Sequence, residues 1–91
     1  MNVTYRIDKD ILYIAVEGRV DASNAPEAEK KIFEIRTENA VKHLVIDAER
    51  LEYISSAGLR VILKLRKATP KLAIINVIPE VYEVLDLTGF T

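Results

Sequence analysis

Two adjacent hydroxyls, those of Ser55 and Ser56, stand directly before an Ala57-Gly58 step and an apolar run at helical spacing, Leu59, Val61, Ile62, Leu63 and Leu65. A helix begins with backbone N–H groups that have no acceptor within the helix, and the positive end of its dipole lies at the same place. A hydroxyl there has two uses. It can accept a hydrogen bond from one of those N–H groups and cap the helix, or it can carry a phosphate, whose roughly two negative charges meet donors still lacking an acceptor. One serine is enough for a cap. Two serines followed by small residues also leave a hydroxyl that the active site of a second protein can approach closely. The spacing leaves both uses open.

Other chemistry has little to work with. The chain has no cysteine and one histidine, which removes thiol catalysis and any nitrogen or sulfur cluster for zinc. Neither common glycine-rich phosphate loop occurs, the three glycines leave little to build one from, and no Gly-x-Ser-x-Gly nucleophile motif is present. Asp21 and Asp47 could act as acid and base, but each has a simpler role at the end of a strand. An enzyme is not expected. Arg60 follows Ser56 by four residues, one helical turn along the same face, so it either meets a phosphate or a partner's acid or stays solvated. His43, beside Lys42, reads as a surface loop residue; Tyr5, Tyr13, Tyr53 and Tyr82 read as half-buried packing groups; and Lys64, Arg66, Lys67 and Lys71 read as a solvated helix end.

These residues must be positioned by a small scaffold. Val3, Tyr5 and Ile7 alternate with polar residues, Asp8-Lys9-Asp10 interrupts, and Ile11 to Val16 resumes, which predicts a β-hairpin. Gly18 marks a bend and Asp21-Ala22-Ser23-Asn24 an exit loop. Asn24 with Glu27 three residues on makes a capping-box pattern, Pro26 sits where its missing N–H costs nothing, and Ala25, Ala28, Ile32 and Ile35 carry a helix to about Glu38. Leu44-Val45-Ile46-Asp47 reads as a buried parallel strand. Ser55-Ser56-Ala57-Gly58 opens a second, deeply packed helix that ends at Ala68-Thr69-Pro70; Leu72 to Val77 forms another strand, and Pro79-Glu80 starts a short amphipathic helix that stops near Gly89. The predicted order is β-β-α-β-α-β-α, an α/β domain with a mixed sheet and right-handed crossovers. At 91 residues, with 49% hydrophobic and 30% charged residues, the chain suits one domain over 1–91. A net charge of -1 offers no field for nucleic acid. No signal-peptide pattern opens the sequence and no apolar run approaches the ~20 residues of a spanning helix, so a cytoplasmic location without membrane insertion is expected.

The segment Ser55-Ser56-Ala57-Gly58-Leu59-Arg60-Val61-Ile62-Leu63 resembles the phosphorylation-site signature of STAS domains, especially those of bacterial anti-sigma-factor antagonists (anti-anti-sigma factors). Gly18-Arg19-Val20-Asp21 is similar to that family's Gly-x-Leu/Val-Asp, Leu44-Val45-Ile46-Asp47 to its central strand, and Leu85-Asp86-Leu87-Thr88-Gly89-Phe90 to its late Leu-x-x-x-Gly-Phe/Leu segment. The matches fall in the right order over nearly the whole chain. The resemblance implies a STAS-like mixed β-sheet of about four strands packed with three or more helices. It implies that Ser56, two residues before the glycine, is the modified serine, with Ser55 the lesser candidate. It places Asp21, Ser23, Ser55, Ser56, Ala57, Gly58 and Arg60 on a partner-binding surface. The chain departs from the pattern at Ser55, where many members carry Asp. The family's pattern also runs on past Thr91 with a further strand and helix, which implies a minimal variant or an apolar strip that a second copy covers.

The implied function is partner switching without a cofactor. Unmodified, the protein binds an anti-sigma factor that is also a GHKL-type serine kinase and so frees a sigma factor; phosphorylation of Ser56 ends the binding, and a PP2C-type phosphatase restores it. A monomer or weak homodimer fits this role. Two other roles within the resemblance are an unmodified structural STAS subunit of a membrane-associated transporter of the phospholipid-transport type, and a sensor of a small ligand or nucleotide.

Overall fold

The computed structural model describes residues 1–39, 42–69 and 71–87. Its elements are β1 (Asn2–Asp8), β2 (Ile11–Val20), α1 (Ala25–Glu38), β3 (His43–Asp47), β4 (Leu51–Ile54), α2 (Ser56–Ala68), β5 (Leu72–Ile75) and α3 (Pro79–Leu87). β1 and β2 form the expected antiparallel hairpin. Asp8 pairs with Ile11 across a two-residue turn in which Lys9 takes a φ of +58°.

β2 organises the sheet. One edge pairs antiparallel with β1 from Ile11 to Glu17. The other edge is shared, since Ile11 to Ala15 pair in parallel with β3 and Gly18 to Val20 pair in parallel with β4. The handover needs an irregular backbone, and it falls at Gly18, which adopts φ +92° and donates its N–H to the carbonyl of Arg50 at 2.8 Å. A residue with a side chain rarely takes that conformation, which accounts for glycine here. β5 joins the far edge of β3, giving the order β1-β2-β3-β5 with β4 also on β2. The mixed sheet is therefore present.

Alternation along the strands decides what is buried. Leu12, Ile14, Val16, Leu44 and Ile46 point into the core with Ala28 and Ile32 of α1, Leu59, Val61, Ile62 and Leu65 of α2, and Val81 and Leu85 of α3. Each Val, Leu or Ile side chain among them contributes about 1.5–3 kcal/mol relative to exposure. No polar or charged residue is buried among the described residues.

Several elements depart from the sequence reading. β4 occupies residues to which the sequence reading assigned no strand, so the order is β-β-α-β-β-α-β-α. Its burial runs buried, exposed, exposed, buried over Leu51–Ile54, a pattern with no two-residue period to announce a strand. β5 is shorter than Leu72–Val77 and lies at an edge, with Ala73 and Ile75 exposed. Leu63 is 38% exposed although Val61, Ile62 and Leu65 of the same apolar run are buried. Tyr5, Tyr53 and Tyr82 are exposed, and only Tyr13 is half-buried as expected; Arg6 lies 4.0 Å from the centre of its ring. His43 is the first residue of β3, paired with Ile11, not a loop residue. Asn24 occupies the N-cap position of α1, but its side chain makes no capping hydrogen bond, so the capping box does not form. The expected stops at Pro70 and Gly89, and Thr88-Gly89-Phe90 of the late segment, lie outside the described residues.

Candidate functional site

The first of the two uses falls to Ser55. Ser55, in extended conformation, is the N-cap of α2, and its half-buried Oγ accepts a hydrogen bond from the N–H of Gly58 at 3.3 Å. Its own N–H donates to the carbonyl of Val20 at 2.9 Å, which ties the start of α2 to the end of β2. With the cap supplied by Ser55, Ser56 is left at the first helical position. Its side chain is exposed and has no partner among the described residues. The first turn of α2 contains no acidic residue.

Gly58 does not belong to the exposed surface on which the sequence reading placed it. It is buried, and a Cβ at this position would lie 2.6 Å from Ile54 Cγ1 and 2.9 Å from Val20 Cγ1. Glycine is required by the close approach of α2 to β2 and β4, not by access to a hydroxyl. Ala57, its half-buried neighbour, does line the surface beside Ser56.

The loop after β2 brings Asp21 and Ser23 to the same end of the molecule. Asp21 Oδ1 accepts from the Ser23 hydroxyl at 2.6 Å, the Ser23 N–H at 2.9 Å and the Asn24 N–H at 3.3 Å. Asn24 in turn accepts from the Asp21 N–H through Oδ1 at 2.9 Å and donates through Nδ2 to the carbonyl of Arg19 at 2.9 Å. The Ser23 hydroxyl, followed by the backbone donors and the charge of Arg19, holds the Asp21 carboxyl below its ordinary value of 3.8. A carboxylate held down in this way is a poor general base but a fixed negative charge. Asp47 has a similar internal task at the other strand end, accepting from the Glu49 N–H and from Asn76 Nδ2, each at 3.1 Å.

Between the first halves of α1 and α2 lies a shallow groove of about 180 Å³, floored by Ala25, Ala57 and Val61 and edged by Ala22, Pro26 and Arg60. Glu29 and Lys64 also line it and pair at 2.9 Å. Arg60 is thus brought beside Ala57 and Ala22 of the Asp21 loop, a neighbourhood that its helical spacing from Ser56 does not specify. The groove residues contributed by α1, and the Asn24 bridge that fixes the loop, were not found in the sequence. Their only signal was small residues on one side of α1, which also fits plain helix packing. Across the turn, Arg19 stacks on the exposed Tyr53 ring at 4.3 Å from its centre, a contact set by the parallel register that pairs the two. Among the described residues no group of His, Cys, Asp and Glu side chains could hold a metal ion, and no helix is long and apolar enough to cross a membrane.

A mixed sheet whose central strand hands over from one parallel neighbour to the next, with a capped helix start carrying a spare hydroxyl, defines a small α/β module with its distinctive chemistry on one turn. The chain belongs to the STAS domain family, whose family model matches residues 2–91. It is 34% identical over 84 residues to BtrV of Bordetella bronchiseptica, assigned as an anti-sigma factor antagonist, a match covering 88% of this chain and 72% of that one. Among solved structures it is similar to an anti-sigma factor antagonist from Mycobacterium paratuberculosis, with a TM-score of 0.86 at 21% identity over 97% of this chain and 77% of that chain. It is also similar to the unphosphorylated form of the anti-sigma factor antagonist SpoIIAA, with a TM-score of 0.76 at 22% identity over 98% of this chain and 82% of that one.

Proposed function

We propose that residues 1–91 form a single STAS domain that acts as a cytoplasmic anti-sigma factor antagonist, a non-enzymatic switch turned off by phosphate on Ser56. The observation that carries the reading is the division of labour at the start of α2: Ser55 already caps the helix, so the exposed Ser56 hydroxyl is free for another use. The relatives support the reading by name, since BtrV is assigned as an anti-sigma factor antagonist and SpoIIAA has been solved in both unphosphorylated and phosphorylated forms.

In this mechanism the unmodified turn, the Asp21–Ser23 loop and the outer side of α2 dock on an anti-sigma factor that is also a GHKL-type serine kinase, and the sigma factor is released. The kinase supplies the nucleotide and transfers its terminal phosphoryl group to Ser56. About two negative charges then stand where an interface had excluded water, and the Asp21 carboxylate adds repulsion on the same side of the molecule. Dissociation follows without a change of fold, and a PP2C-type phosphatase resets the turn.

The test is binding to the cognate anti-sigma factor, isolated by pull-down from the source cell. Ser56→Ala is expected to bind like the wild type and to resist phosphorylation, while Ser56→Asp binds at least about tenfold more weakly, a difference of about 1.4 kcal/mol. Equal affinities of the two variants would remove Ser56 from the interface. Phosphate located on Ser55 by mass spectrometry would move the switch by one residue, and recovery of a transporter ATPase in place of a kinase would favour the structural-subunit role.

A further inference from the structure

Three charged residues line the groove between α1 and α2, and they are not equivalent. Glu29 and Lys64 neutralise one another across it at 2.9 Å. Arg60 is exposed, with neither an ion pair nor a hydrogen bond among the described residues. Asp21, at the same end of the molecule, is tied into its own loop by Ser23 and Asn24, with the charge of Arg19 acting on it. The groove therefore offers an apolar floor and one uncompensated guanidinium, which suits a protruding carboxylate side chain and disfavours a basic one. Ser56 lies four residues before Arg60 on the same helix, where side chains start about 5–6 Å apart and interact. No acid in the first turn of α2 competes for the guanidinium.

Given Ser56 as the phosphoacceptor, on which this rests, we propose that Arg60 is a cation shared by the two states of the switch: it meets a carboxylate of the anti-sigma partner when Ser56 is free, and pairs with the phosphate within its own chain when Ser56 is modified. Phosphorylation then acts twice. It adds charge to the interface, and it withdraws the cation that the partner's acid requires.

Two measurements test this, and the first needs neither kinase nor partner. Phosphoserine is genetically encoded at position 56 and its ³¹P resonance is titrated in the otherwise wild-type chain, in Arg60→Gln and in Lys64→Gln. The second ionisation of the phosphate is expected about 0.3 pH unit higher in Arg60→Gln than in wild type, and unchanged in Lys64→Gln, whose charge Glu29 already holds. Identical values in all three would overturn the proposal. In the second measurement, Arg60→Gln weakens binding of the unmodified protein to the anti-sigma factor by about tenfold, and phosphorylation has a smaller fold effect on this variant than on wild type. Equal fold effects mean that the two changes act independently, which also overturns it. Should the wild-type protein bind no anti-sigma factor, the proposed function fails, and the titration still decides whether Arg60 pairs with the phosphate.

Discussion

At the scale of residues, neighbouring positions have opposite consequences. Ser55→Ala removes the hydroxyl that accepts from Gly58 and is expected to lower stability by about 1 kcal/mol. Ser56→Ala removes a hydroxyl with no internal partner and is expected to stay within about 0.5 kcal/mol of wild type. Urea denaturation of the two variants separates the capping serine from the proposed phosphoacceptor before any partner is known. Gly58→Ala is a third case, since its Cβ would press on Ile54 and Val20, both branched close to the backbone. Overpacking of this kind costs about 1–3 kcal/mol, so this variant should unfold at lower urea than Ser56→Ala. Asp21 makes a prediction about pH. Unfolded, its carboxyl titrates near 3.8; folded, the Ser23 hydroxyl holds it lower, so the folded state binds fewer protons over the interval between. The stabilisation is complete above about pH 5 and is lost as the pH falls through the folded value. In melting curves between pH 6 and pH 3, the gap between wild type and Asp21→Asn should be constant at the upper end and narrow toward the lower end.

At the scale of elements, the helices are joined by a contact that neither helix announces. Arg36, in the last turn of α1, donates through Nε to Thr69 Oγ1 at 2.6 Å and through Nη2 to the carbonyl of Ala68 at 2.7 Å. The cation satisfies the end of α2, where carbonyls lack intrahelical donors and the dipole is negative. Arg36→Ala is expected to cost about 1–2 kcal/mol in urea denaturation. Arg36→Lys should recover little, because one ammonium cannot reproduce two diverging donors. The sheet shows a related division, with β2 long enough to serve β3 at one end and β4 at the other, and Gly18 absorbing the change of register. The groove beside Ser56 exists because β4 delivers the start of α2 next to the loop that starts α1.

At the scale of the whole molecule, stability has a narrow margin. A chain of 91 residues is expected to be stable by about 5–14 kcal/mol. Leu65 is fully buried, and Leu65→Ala should remove about 2–5 kcal/mol of that. Leu63→Ala, two residues away on the same helix but 38% exposed, should change stability by less than about 1 kcal/mol. Comparing their urea midpoints tests which side of α2 faces the core. The proposed switch, read through added charge, suits so small a domain because it disturbs no core contacts.

The hairpin, α1, β3, α2 and the α/β class followed from the sequence because periodicity and turn residues are local properties. Val3, Tyr5 and Ile7, the Ala25–Ile35 spacing and the run from Leu59 to Leu65 each carry their signal within a few residues. The candidate serine turn was legible for the same reason, as hydroxyls before a helical run. Which serine caps was not, because the choice depends on how closely α2 approaches β2 and β4. β4, the burial of Gly58, the exposure of Leu63 and of three tyrosines, and the meeting of Arg60 with the α1 groove were decided by tertiary structure alone. Each is a relation between segments distant in the chain, set by register and packing, and no single stretch of sequence contains it.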